Sequence, residues 1–409
     1  MKRCAPYALV AALVLVVVVP YAIAAATVKP AGAHPDRSPA APVASAVATL
    51  TGIAISPLLG TGAYGAYKWW TTAELARSNL PWYAQPKFWL PALLLIAACA
   101  AKDALGATVP PGWKKPLDVL ETIENKFSGL IAAGAVVPFA LDAMTKMLFS
   151  GDGAVASGPT FAHLGVATIH LAAFDVTWLL NVLMMPLAVA IFVLVWLGSH
   201  AINVLILLSP WGAIDAALKA ARTALLGLLT ITATINPWVG AGLSLVIIVV
   251  CYFTAGWAFR LSVFGGIFCW DFLTRKRKRY TPPENDSPMF SGPNFPGVPV
   301  RTYGRLVQRT NGGLEFVYRP WLRLPPRVAQ LPVGREALAV GDGLFFSDIV
   351  TDEGATLFSL PPRYNGHEAT LARAYLMGGG VRPIGLRKAW GALREMVGGR
   401  ALKKEPLAA

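Results

Sequence analysis

Asp142, Lys146, His170 and Asp175 are ionisable side chains inside apolar stretches of this chain, where they could do chemistry. A charge in lipid is costly, so an ionisable residue within a span marks an ion, proton or solute path by default. Asp142 and Lys146 are spaced i, i+4, which suits an ion pair on one helix face. His163 and His170 share a face but stand roughly 10 Å apart along it, too far to ligate one metal by themselves. Helical metal sites use pairs three or four residues apart, and no HExxH motif occurs. A proton or ion relay through His170 and Asp175, with Asn181 nearby, competes with plain hydrogen bonding between helices. Asp118, Glu121 and Glu124 fall on roughly one side of a helical pattern. Three carboxylates suit a cation, but a solvated helix face accounts for them better.

A second group is Arg275, Lys276, Arg277, Lys278 and Arg279, five consecutive cations just after the last apolar stretch. Such a run belongs on the cytoplasmic side of a span, and it suits contact with anionic lipid headgroups. Other motifs are weaker. Gly60 to Gly65 spells GxGxxG, but an apolar span surrounds it and Trp69-Trp70 follows, so the dinucleotide reading fails. Cys4, Cys99, Cys251 and Cys269 have no ligand spacing and read as small apolar side chains. No nucleophile–base pair, P-loop or metal cluster is legible. The chain reads as a non-enzyme with no cofactor.

The elements that must position these residues follow from composition. Of 409 residues, 55% are hydrophobic and 14% charged, against roughly 25% charged in soluble domains. Residues 1–274 carry 15 Lys/Arg against 11 Asp/Glu, and residues 275–409 carry 21 against 11. An apolar region therefore gives way to a basic, water-compatible one.

Lys2 and Arg3, the apolar Leu9 to Val19 and the small residues Ala22 to Ala26 read as a signal peptide or signal anchor over 1–26. An exported linker over 27–43 follows. Apolar stretches then occur at about 44–67, 88–101, 128–149, 164–208 and 238–272, with a weaker one at 212–236. An outer linker and an inner tail demand an odd number of crossings, about five over 44–274. The weaker stretch, with Asp215, Lys219 and Arg222 on one face, then becomes an interfacial helix. Pro186 predicts a kink or hairpin within 164–208. Gly52, Ser56 and Gly60 predict a small-residue packing face, kinked at Pro57. Arg260, about 22 residues after Trp238, reads as an anchor at the far interface.

Gly52 to Pro57, and the charged loop leading into Gly129 to Gly134, resemble an uncharacterised family of bacterial multi-pass inner-membrane proteins. The resemblance covers residues 45–140. It implies a bacterial inner-membrane location and no particular activity.

Beyond the basic run and a linker over 275–300, the pattern changes to strands at Arg301–Arg309, Gly313–Trp321, Ala337–Phe346 and Ala355–Leu360. Asn311-Gly312 is a hairpin signal. Helical patterns follow at Glu368–Met377 and Ile384–Val397. The expected fold class is an α-helical multi-pass membrane region plus a small cytosolic α+β domain over 301–400. That domain would be a β-barrel or curled sheet capped by a C-terminal helix, pleckstrin-homology-like. Its positive charge suits membrane lipid or a protein partner. No zinc-finger, RNP or helix-turn-helix signature occurs, so no nucleic acid is expected. The densest polar cluster is Leu360 to Tyr364 with His367-Glu368. The sequence favours a membrane-anchored scaffold or sensor acting through the basic domain, with a transporter or channel-like protein as the alternative.

Overall fold

The structure is a computed structural model that describes residues 41–106, 119, 122, 124–134, 176–208, 212–309, 312–343 and 346–385. The chain divides into two compact units, 1–255 and 256–409.

In the first unit the helices are α1 (Ala41–Ile55), α2 (Pro57–Thr71), α3 (Pro86–Gly106), α4 (124–134), α5 (Val176–Leu208), α6 (Gly212–Ile235) and the start of α7 (Pro237–Leu273). Pro57 breaks the first apolar stretch outright instead of kinking it. Proline has no N–H to give and its ring clashes with the preceding turn, yet its fixed φ suits a helix start. Ser56 takes φ −138° and ψ 85°, and α2 begins at Pro57. The small-residue face is divided accordingly. Gly52 meets Leu226 and Leu229 of α6, whereas Gly60 folds back onto Ile53. Pro186 lies within α5, which is a single element from Val176 to Leu208. The core joins Ile53, Leu59, Phe192, Val195, Leu226 and Leu229.

Among the described residues, three helices are long and apolar enough to cross a membrane: Met185–Leu208, Ala217–Ile235 and Pro237–Leu273. That is the architecture of a membrane protein. The second lies in the stretch expected to be interfacial. Its 19 residues match the roughly 20 needed to span. Half of the α5 window is buried, against 17% for α7. Leu245, Val246, Val249, Val250, Tyr252 and Phe253 of α7 are exposed, an apolar surface that suits lipid.

The second unit contains the end of α7, an eight-stranded sheet and the short helix α8 (Glu368–Ala374). The strands are β1 (Asp286–Ser291), β2 (Tyr303–Gln308), β3 (Leu314–Tyr318), β4 (Arg327–Gln330), β5 (Leu338–Asp342), β6 (Asp348–Thr351), β7 (Thr356–Ser359) and β8 (Val381–Pro383). Their order is β4-β3-β2-β1-β7-β6-β5-β8. Every ladder is antiparallel except β5–β8. The barrel expectation is thus corrected. Among the described residues the sheet is open, with β4 and the three-residue β8 at its edges. The linker expectation for 275–300 is corrected too, because β1 lies within it and holds the centre of the sheet. The helix expected at Ile384–Val397 lies beyond the described residues, apart from its first two.

Met289, Leu306, Phe316, Val340, Ile349, Phe358 and Leu371 form the core of this unit. Tyr375 closes it by donating its hydroxyl to the Leu306 carbonyl at 2.9 Å. Burial pushes that phenol up to about 12. The β2–β3 hairpin turns at Gly312, whose φ of 80° is natural only for glycine.

Candidate functional site

The residues singled out as intramembrane candidates, Asp142, Lys146, His170 and Asp175, lie outside the described residues. So do Asp118 and Glu121. What the described helices bring together instead is a polar cluster that sequence spacing does not announce. Arg222 of α6 donates through Nη1 to Asn203 Oδ1 of α5, at 2.5 Å, and through Nη2 to Ser56 Oγ at 3.4 Å. Ser199 donates to the Ile55 carbonyl at the end of α1. This carbonyl precedes Pro57 by two residues, where the break in the helix frees backbone acceptors. The His200 Nδ1 is 3.0 Å from Asn125 Oδ1 of α4, and its ring stacks on Trp196 at 5.2 Å. His200 is fully buried, and its Nε2 has no hydrogen-bond partner among the described residues. Gly129 makes room for this stack, since a Cβ there would lie 2.2 Å from Trp196 Nε1.

The GxGxxG run lies inside α2, and its last glycine serves packing. A Cβ on Gly65 would fall 2.1 Å from the Tyr83 carbonyl oxygen. Lys68 sits over the Tyr64 and Tyr83 rings, at 5.5 and 5.9 Å.

A second polar constellation lies within the C-terminal unit, around the basic run. Asp271, in the last turn of α7, has a fully buried side chain. Arg363 answers it with a two-pronged contact, Nε to Oδ2 at 2.7 Å and Nη2 to Oδ1 at 2.8 Å. The Arg363 backbone N–H adds a third bond to Oδ2 at 3.3 Å. Burial opposes the charge on Arg363, but the hydrogen bonds and charge of Asp271 outweigh it and hold the guanidinium above its ordinary value. This forked geometry matches a planar guanidinium to a carboxylate. Beside the pair, Tyr280 donates to the Tyr364 hydroxyl at 2.9 Å. Burial raises both phenols.

The basic run is a tight turn. Arg275 adopts the left-handed region at φ 46°, and Lys276–Lys278 form a single 3₁₀ turn. His367 Nε2 donates to the Arg277 carbonyl at 2.8 Å. The backbone of the run is therefore tied to the loop before α8, while Arg275, Arg277, Lys278 and Arg279 keep exposed side chains. None of the five cations pairs with a carboxylate among the described residues. Around the same loop, Ser347 donates to Glu368 Oε1 and the Gly366 N–H donates to Oε2, both at 2.7 Å.

The cluster from Leu360 to Glu368 was visible as a concentration of polar residues. Its partner was not, although one signal pointed there. Asp271 is the sole acid in the 37 residues of α7, and an isolated acid on an apolar helix calls for a cation. Among the described residues, no group of three or more His, Cys, Asp or Glu is placed to hold a metal. No family model, curated protein or solved structure matches the chain.

Proposed function

We propose that this protein is a multi-pass protein of the bacterial inner membrane, and that it works as a scaffold or sensor. In this reading the C-terminal unit lies in the cytoplasm and carries the activity. The observation that supports it most directly is the Asp271–Arg363 pair, which fixes the sheet to the end of the apolar helix α7. A domain clamped to the helix that leads into it suits a recruiting platform. The exposed cations of 275–279 add attraction to an anionic leaflet, roughly 1 kcal/mol for each Lys or Arg near the surface.

The test places a photo-crosslinking amino acid at exposed Arg323 or Glu353 in the full-length chain in its native membrane. One reproducible protein adduct is expected. Lipid adducts alone, or none, would sink the scaffold reading.

A second reading, transport of a small solute, ion or lipid, draws support from the Arg222–Asn203–Ser56 cluster. Buried polar groups between apolar helices are where transport paths are built. Cysteine placed at Asn203 and challenged with a membrane-impermeant thiol reagent separates the two. Labelling favours transport, and complete protection removes it.

A further inference from the structure

The C-terminal unit holds a cavity of about 310 Å³ that neither the clamp nor the basic run uses. This is the lower end of the range for ligand sites. Four arginines line it, Arg260 and Arg301 half-buried, Arg319 and Arg327 exposed, together with Tyr303 and Trp321. No lining residue is acidic. None of the four guanidinium groups pairs with a carboxylate among the described residues. Gathering like charges around one concave space is unfavourable unless something negative sits in it. Burial also holds the Arg301 guanidinium below its ordinary value. Arginine is the side chain suited to phosphate, because its planar fork donates two parallel hydrogen bonds.

The backbone is distorted at the same place. Five non-glycine residues among those described are left-handed, and Arg301, Trp321 and Leu322 of this cavity wall are three of them. Strain of this kind gathers at ligand clamps.

Position decides which phosphate compound fits. About 20 residues of helix cross the hydrocarbon core, so a span entered at Pro237 is complete near Gly256. The cavity's helical wall is Gly256, Phe259, Arg260 and Val263, the turns that come next. For a span entered at Pro237, those turns come at headgroup depth. Trp321, Leu322, Leu324 and Val328 are exposed around this region, and tryptophan and leucine on one loop suit the bilayer interface. A soluble phosphate ester would not call for such a rim.

We propose that this cavity binds the phosphorylated headgroup of an anionic membrane lipid, with Arg260, Arg301, Arg319 and Arg327 surrounding the phosphate. The assignment rests on α7 spanning a bilayer but needs no protein partner. It differs from headgroup attraction at 275–279, which is charge on an exposed turn without a cavity.

Native mass spectrometry of the full-length protein in neutral detergent tests it. The chain is titrated with phosphatidylglycerol, phosphatidylcholine and soluble glycerol 3-phosphate. Phosphatidylglycerol is expected to bind as one tightly held molecule, about tenfold or more ahead of phosphatidylcholine. The double variant Arg319→Gln/Arg327→Gln should weaken it about tenfold, as expected for lost charge-assisted hydrogen bonds. Both side chains are exposed, and circular dichroism confirms that the variant folds. Neutralising 275–279 to glutamine should leave this one molecule bound. Equal binding of the two lipids, an unaffected double variant, or loss of the bound lipid on neutralising 275–279 would each overturn the assignment. Glycerol 3-phosphate binding as tightly as phosphatidylglycerol would overturn the lipid source. Absence of a protein crosslink with lipid binding intact would sink only the scaffold reading.

Discussion

Replacing Arg363 with alanine should loosen the whole C-terminal sheet. The variant strips the Asp271 carboxylate of both side-chain donors, at 2.7 and 2.8 Å, and leaves it with the 3.3 Å backbone contact alone. The Asp271 side chain is fully buried and that of Arg363 only 9% exposed, so solvent does little to screen the loss. Breaking one partner of a buried pair costs about 3–5 kcal/mol. Two charge-assisted bonds at roughly 1.5–3 kcal/mol each give the same scale. At about 1.4 kcal/mol per decade, amides that exchange through opening of this unit should exchange roughly 10²–10³ times faster. Hydrogen exchange on the full-length protein in lipid nanodiscs reads this at β1, β2 and β7. The paired change Asp271→Leu with Arg363→Met removes both charges and should recover most of the protection, since apolar replacement of a buried pair is often neutral. Exchange within tenfold of the parent in Arg363→Ala, or equal damage in the paired variant, would refute the reasoning.

Three further perturbations have signs worked from the structure. Burial raises the Asp348 carboxyl from 3.8 to about 6, partly opposed by its hydrogen bond from Ser359. The native state therefore holds this proton more tightly than the unfolded chain. Stability from this group is fully present below 3.8 and is lost as pH rises through about 6, so Asp348→Asn should stabilise the protein by about 2–3 kcal/mol at pH 8. Thermal unfolding at pH 8 and pH 4 checks the difference, and an equal shift at both values would contradict it. Gly65→Ala should destabilise the first unit by about 1–3 kcal/mol, because its Cβ would meet the Tyr83 backbone; a denaturant titration in detergent measures this. Tyr280→Phe removes the bond to Tyr364 and should cost about 1 kcal/mol, seen as modestly faster exchange near residues 362–364.

What the sequence made legible was whatever local pattern decides. β2, β3, β5 and β7 alternate or run apolar at Leu306, Phe316, Val340 and Phe358, and all four were readable as strands. β1 was not, because Asp286-Ser287-Pro288 has turn chemistry. Its place is set by neighbours instead. Pro288 pairs with Arg305 of β2, while the β7 ladder begins only at Phe290, so the missing proline N–H faces no strand. β8 is three residues long and exists only through β5. The polar cluster escaped for a similar reason. Ser56 and Arg222 are 166 residues apart, and His200 and Asn125 are 75 apart. Spacing rules see only one helix face at a time. Arg260 was readable as an interfacial residue, but its hydrogen bond to the Val300 carbonyl and the three other arginines around it depend on the sheet.

The Asp271–Arg363 pair also has a consequence in time. The two residues are 92 positions apart, so the acid leaves the ribosome long before the base. At about 5–20 residues per second, α7 waits roughly 5–20 s with a solitary carboxylate at its end. During that interval its last turn has no reason to leave water. The charge is answered only when the nascent sheet delivers Arg363, so the last turn of α7 is the final part of that helix to be fixed in place.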